Sequence, residues 1–324
     1  MPGSTWRCSL LPIHVLRNLG LAGLLAVTTA AHADPIQAQP ASPATPPAAS
    51  AIPAHGVTRF KIGSLEAAAL FDGTITIAND GKTFGLGHSP AEVAAVLKAN
   101  GLRQDQLELG IQPLLVRSGA RVLLFDTGAG DASFARGGHI QASLRAAGVG
   151  PAQVTDIFIS HAHPDHVGGL LGSGGGLAFP NAAIHLSAPE WAAMRANKDQ
   201  AALAAAIAPK VIAFAPGAAV LPGLVTAVPV NGHTPGHSAY EVASGPDRLL
   251  YIGDSAHHFV ISVQKPEWTV EFDGDAPTAQ ASRRALLRRA ADQNLRLYAV
   301  HFPYPGVGRV KAQGDGFVWI PETP

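Results

Sequence analysis

From Val57 onward, short apolar runs alternate with Gly, Pro, Asn and Asp, the pattern of strands separated by turns and a few helices. Strands are predicted over 58–62, 67–71 and 74–77, with Asp72 and Gly73 reading as a hairpin turn between the last two. Ser89, Pro90 and Glu92 form a capping box with proline at the first helical position, and Gly101 supplies the stop. Runs 114–117 and 121–125 make a hairpin around Ser118 and Gly119 and deliver Asp126 to a strand end. A helix over 139–147 ends at Gly148. The run 154–159 is β-branched and aromatic, which suits a buried strand. A strand over 183–186 leads into a helix capped by Ser187 to Glu190 and carrying Trp191 and Met194; strands 224–228 and 249–252 follow. The amphipathic helix 277–293 carries Arg283, Arg284, Arg288 and Arg289, which read as a solvated basic face.

The first residues have a different character. Arg7 and Arg17 precede the apolar run 19–27, and Ala31, His32 and Ala33 fit the small-x-small cleavage rule. Residues 1–33 are therefore predicted to be a Sec-type signal peptide cut after Ala33, with a periplasmic or secreted product and no stable membrane anchor after cleavage. Residues 34–56, rich in Pro and Ala, read as a disordered linker. That leaves 57–324 as one folded domain. The one cysteine, Cys8, would leave with the signal, so the mature chain has neither a disulfide nor a thiol nucleophile.

Charge excludes some classes. Lys plus Arg and Asp plus Glu each number 23, which gives no basic footprint for nucleic acid. Few charges lie near the candidate chemistry, which favours an uncharged small-molecule substrate. A homodimer is compatible with the sequence.

The chemistry concentrates directly after the strand 154–159. His161, His163, Asp165 and His166 lie within six positions, with Pro164 stiffening the loop and Gly168 and Gly169 permitting close backbone approach. Imidazole and carboxylate at this density are donors for a divalent metal. His161-Ala-His163-Pro-Asp165-His166 resembles the HxHxDH signature of the metallo-β-lactamase superfamily. Further motifs follow that family's order: Asp126-Thr127-Gly128 upstream, then the His233 loop running Gly232-His233-Thr234-Pro235-Gly236-His237, Gly253-Asp254, and His301 after an apolar strand.

The resemblance implies a four-layer αββα sandwich (α+β) and a dinuclear centre. In it, His161, His163 and His233 would hold one ion, Asp165, His166 and His301 the other, and Asp254 would bridge them. Zinc is the first choice, with manganese, cobalt and iron compatible. A metal-bridging hydroxide would attack an ester-like bond, with Asp165 and Asp254 as the catalytic carboxylates. Asp126 and His237 would orient ligand imidazoles, and Thr234 would shape its loop. The absence of cysteine and the presence of His163 instead of Glu separate the chain from the true β-lactamases and the flavodiiron proteins. Segments at 71–74, 177–182 and 301–317 resemble the exported methyl parathion hydrolase and lactonase-like branch. The predicted reaction is hydrolysis of an uncharged lactone or aryl ester, with phosphotriester hydrolysis as the alternative and a non-catalytic periplasmic metal- or ligand-binding protein as the non-enzyme alternative. His257, His258, Phe259, Trp268, Phe302 and Tyr304 are candidates for the substrate pocket.

Overall fold

Strands buried on both faces must be covered on both sides, which sets the number of layers. The computed structural model describes residues 52–322; the predicted signal and most of the predicted linker lie outside the described residues. One sheet has seven strands in the order Val57–Ile62, Leu65–Leu70, Leu114–Ser118, Arg121–Phe125, Asp156–Phe158, Ala183–Ser187, Val211–Phe214. The other has six, in the order Val225–Pro229, Ser238–Ser244, Asp247–Tyr251, Arg296–Tyr298, Val307–Gln313, Gly316–Pro321. Their inner faces bury Phe125 and Phe158 against Tyr240, Tyr251 and Tyr298. Phe125 stacks on Phe158 at 4.8 Å between ring centres and meets Tyr240 edge-on at 5.7 Å. On the outer face of the first sheet, Ile140, Leu144, Met194 and Ile207 pack from helices. The outer face of the second is covered by Leu286, Leu287 and Ala290 of the helix Ala276–Asp292. The result is the αββα sandwich.

Strand direction places the site. Arg121–Phe125, Asp156–Phe158 and Ala183–Ser187 run parallel, so their C-terminal ends share one edge. Asp126 and the His161 segment leave from that edge. Asp247–Tyr251 and Arg296–Tyr298 are also parallel, and Asp254 and His301 follow their ends. Close approach needs small residues here: a Cβ on Gly169 would lie 2.1 Å from the Thr127 carbonyl oxygen.

Two readings of the sequence change. Asp72 and Gly73 do not turn a hairpin. Leu65–Leu70 pairs with Val57–Ile62 and Leu114–Ser118, whereas Gly73–Ala78 pairs with Gln106–Ile111 in a separate two-stranded sheet. The Asp72 carboxylate is buried and accepts the N–H groups of Ala129 and Ile140, each at 2.8 Å. A side chain on Gly73 would run into the Arg136 carbonyl. The basic helix also departs from expectation: Arg284, Arg288 and Arg289 reach partners near the surface, but Arg283 is 1% exposed. It shares the inward stripe of Ala279, Leu286, Leu287 and Ala290.

The interlayer aromatics should dominate stability. We predict that Phe158→Ala costs about 3–5 kcal/mol, and Ile212→Ala on the exposed edge strand about 0.5 kcal/mol or less. Urea unfolding midpoints check this, and equal costs would contradict the packing described.

Candidate metal centre

The His161 segment becomes a short loop followed by the helix Pro164–Val167, with Pro164 at its first position. It brings two groups of donors together. Ligand-capable atoms of His161, His163, His233 and Asp254 lie within 4.8 Å of one another, as do those of Asp165, His166 and His301. The Asp254 carboxylate stands between the groups. Its Oδ1 is 3.1 Å from Nε2 of both His166 and His301, and its Oδ2 is 3.4 Å from His233 Nε2 and 3.6 Å from His161 Nε2. Asp165 Oδ2 lies 3.4 Å from His301 Nε2 and 3.6 Å from His166 Nε2.

The outward nitrogens of four of these rings are hydrogen-bonded, which turns the inward ones toward the centre as the atoms a metal would take. His166 Nδ1 donates to Asp126 Oδ2 at 2.7 Å, and His301 Nδ1 donates to the Gly110 carbonyl at 2.7 Å. His233 Nδ1 faces Asp273 Oδ1 at 3.1 Å. The Ser160 hydroxyl donates to Asp126 Oδ2, so its oxygen is left to accept from His161 Nδ1 at 3.1 Å. With Nδ1 held as a hydrogen-bond donor in each ring, Nε2 is the atom a metal would take in place of a proton. His233 Nε2 is 2.9 Å from His163 Nδ1 and 3.1 Å from His161 Nε2, close enough for one divalent ion to draw on all three nitrogens. His166 Nε2 and Asp254 Oδ1 are buried without any hydrogen-bond partner. The donor set fits divalent cations.

Ionisation within the protein reflects the same crowding. Burial, followed by the charge on His166, drives His161 well below the ordinary imidazole value, and burial with His233 lowers His163 to about 4. For His166, burial acts downward, but Asp254, Asp165 and Asp126 outweigh it and raise the group well above 6.5. Burial opposes ionisation of Asp254, yet His166, His301 and His161 hold its carboxyl well below 3.8.

The residues around the donors play distinct parts. Asp126, in a left-handed backbone conformation (φ 56°), orients His166 and also accepts from Tyr251 Oη at 2.7 Å. His237 does not orient an imidazole. Its Nδ1 donates to the Val230 carbonyl at 3.1 Å and its Nε2 accepts the Asp254 N–H at 3.0 Å, so it braces the backbone of the central carboxylate. Thr234 donates to Glu190 Oε2 at 2.7 Å. Glu190, which the sequence suggested only as a helix cap, is a buried staple: it also accepts from Gly236 N at 2.9 Å and Ala162 N at 2.8 Å, joining the His233 loop to the His161–His163 loop.

A cavity of about 590 Å³ opens over the centre. Ile75, Ile77, Leu109, Phe134 and Phe272 form its apolar wall beside His163, Asp165, Asp254, His257 and His301. Of the six pocket candidates read from the sequence, only His257 lines it. Its two ring nitrogens are buried and unpartnered, and Nε2 is 3.3 Å from Asp254 Oδ2. His258 instead accepts the N–H groups of Val260 and Ile261 at Nδ1, and burial lowers its pKa to about 3. Phe259 packs on the second outer layer, and Phe302 meets Trp319 edge-on at 4.9 Å within that layer. Trp268 stacks on His88 at 4.3 Å, and Tyr304 lies between the sheets with its hydroxyl on the Ala69 carbonyl. These aromatics are core because their faces are already covered. The wall residues went unread because they come from a two-stranded sheet and two loops remote in sequence from the motifs.

The geometry can be set beside known proteins. The profile of the metallo-beta-lactamase superfamily matches residues 109–301. No curated protein sequence matches significantly. Among solved structures, the chain is similar to AidC, a dizinc quorum-quenching lactonase in complex with a homoserine product, at 33% identity and a TM-score of 0.77, covering 83% of this chain and 98% of that one. It is also similar to the hydrolase AbOPH of the beta-lactamase superfamily, at 28% identity and a TM-score of 0.74, with 83% and 98% covered. A probable metal-dependent hydrolase from Staphylococcus aureus shares the fold at 20% identity and a TM-score of 0.69, with 82% and 99% covered. The chain belongs to the metallo-beta-lactamase superfamily. It is a metal-dependent hydrolase.

Two predictions follow from these contacts. Glu190→Ala leaves three donors without their acceptor and should destabilise the protein by about 3 kcal/mol or more, with lower metal occupancy after dialysis; calorimetry and elemental analysis check both. His258 is neutral in the fold, whereas an unfolded histidine binds a proton near pH 6.5. Its contribution is therefore intact above that value and is lost as pH falls toward about 3. Between pH 7.5 and pH 5 the loss should reach about 2 kcal/mol, and His258→Gln should lose that much less than wild type in paired urea titrations.

Proposed function

We propose that the protein hydrolyses an uncharged ester-like bond in a substrate with a substantial apolar part, lactones first. The observation that carries this reading is the cavity wall: five apolar side chains stand over the donor groups, and the charged residues lining the cavity are all acidic, Asp165, Asp254 and Glu271. An anionic substrate would meet no lysine or arginine there. Similarity to a dizinc lactonase at 33% identity supports the same reading.

His161, His163 and His233 would hold one divalent ion, Asp165, His166 and His301 the second, and Asp254 would reach both through its separate oxygens. When bound, the ions supply Lewis acidity, activating a water as nucleophile and polarising the carbonyl oxygen. The protein's own residues do the rest. The apolar wall takes the acyl portion and keeps bulk water away, which strengthens every charge interaction inside. Asp165, more open to the cavity than Asp254, is placed to accept the proton of the attacking water and return it to the leaving alkoxide oxygen of the opened ring. His257 lines the cavity beside Asp254 and would pack against the bound substrate. Phosphotriester hydrolysis would use the same donors and the same cavity.

One paired assay tests this. Hydrolysis of an aryl lactone, a long-chain acyl-homoserine lactone and methyl paraoxon is compared on one preparation of known metal content. Lactone turnover is expected to dominate, to fall by more than about 100-fold in Asp254→Ala, and to vanish with a chelator and return with zinc. A dominant phosphotriester rate would replace the lactone reading, and two bound ions without turnover on any substrate would refute it.

A further inference from the structure

Arg283 is the most completely buried lysine or arginine among the described residues, and all three of its guanidinium nitrogens donate hydrogen bonds. Nε donates to the Ser255 carbonyl at 2.8 Å, and Nη1 donates to the carbonyls of Pro266 at 3.1 Å and Trp268 at 3.4 Å. Nη2 donates to Asp273 Oδ2 at 2.6 Å. The other oxygen of Asp273 receives His233 Nδ1 at 3.1 Å, and His233 Nε2 points at Asp254 Oδ2 and the rings of His161 and His163.

A buried charge is tolerated only when paired and hydrogen-bonded, and a fixed planar fork with five donors meets several acceptors at once where an ammonium cannot. A residue needed only to fill the helix stripe between Ala279 and Leu286 would be an apolar one. The contacts of Arg283 instead converge on two segments of the centre: Ser255, next to Asp254, and Asp273, against His233.

We propose that Arg283 is a positioning residue of the metal centre. It locks the Asp273 carboxylate so that His233 keeps its proton on Nδ1 and aims Nε2 inward. The proposal rests on the dinuclear reading above and adds a selectivity to it. Asp273 touches His233 alone among the proposed ligands of the first group, and the second group is oriented by Asp126 and Gly110. Weakening the clamp should therefore loosen one ion and spare the other.

The test is stepwise zinc binding to the metal-free full-length chain by chelator competition, with the melting temperature of each metal-free protein measured alongside. Arg283→Lys keeps the charge but cannot span Ser255, Pro266 and Asp273 together. Asp273→Asn keeps the size and an acceptor for His233 but loses the charge that holds the guanidinium. Each should lose roughly 10- to 100-fold in affinity for one zinc, with the other bound as in wild type. Wild-type affinity at both sites in either folded variant would overturn the proposal. So would a parallel loss at both sites together with a fall in metal-free melting temperature, which would mark Arg283 as a brace of the fold only. If Arg283→Lys does not fold, Asp273→Asn decides. A wild-type chain that binds no zinc would refute the metal-centre reading itself, and the clamp with it.

Discussion

The Asp126 carboxylate accepts four hydrogen bonds in a place without access to water: from Ser160 N, Ser160 Oγ, His166 Nδ1 and Tyr251 Oη. Those partners come from the loop after one strand of the first sheet, from the short helix behind it and from the second sheet. A buried carboxylate left unpaired would be severely destabilising, so the four donors and the acceptor are mutually obligatory. Satisfying Asp126 fixes the distance between the sheets at their shared edge, and that distance lets Asp254 and His301 face the His161 segment. The same bonds protonate the outward nitrogen of His166 and, through Ser160, of His161. One buried acceptor thereby sets both the docking of the layers and the direction of two lone pairs.

The remaining donors follow the same logic with different acceptors: a backbone carbonyl for His301, a clamped carboxylate for His233. The fold satisfies the outward ring nitrogens of four ligand histidines and leaves His166 Nε2 and Asp254 Oδ1 at the centre without hydrogen-bond partners. Buried polar atoms without partners cost roughly 1–3 kcal/mol each, so a fold that retains His166 Nε2 and Asp254 Oδ1 in that state is shaped for a charge that arrives from outside. Glu190 performs the corresponding task for the backbone, tying the two ligand loops so that neither can drift from the other.

Much of the fold, and the residues that the structure gathers into two groups of possible donors, could be read from the chain because that information is local. The motif from His161 to His166 spans one loop, and the capping box at Ser89 and the turns at Gly101 and Gly148 act within a few positions. What escaped depends on partners far away in sequence. Asp72 and Gly73 have turn chemistry, but that chemistry does not specify which strands pair, and the carboxylate's real partners lie at Ala129 and Ile140. Arg283 carries the charge of a surface residue but the spacing of a core one: with Ala279, Leu286, Leu287 and Ala290 it lies at intervals of three and four, and weighting periodicity over charge would have found it. Glu190 fits a helix-capping pattern so well that nothing local hints at its carboxylate's true acceptor role. The cavity wall was the least legible part, since Ile75, Ile77, Leu109, Phe134 and Phe272 acquire a common purpose only after folding.

Both sheets contribute donors at their common edge, and this ties the lifetime of the protein to its supply of metal. An unfolded chain has the histidines but not their convergence, so an ion recognises only the native state, and mass action then adds stability as free metal rises, by about 4.1 kcal/mol at a thousandfold excess over the dissociation constant. That is a sizeable share of the whole stability of a typical domain. A chain that meets scarce metal would hold its architecture less securely and open more often to proteases. Abundance of the folded enzyme would then track the local availability of the ion, before any question of catalytic rate arises.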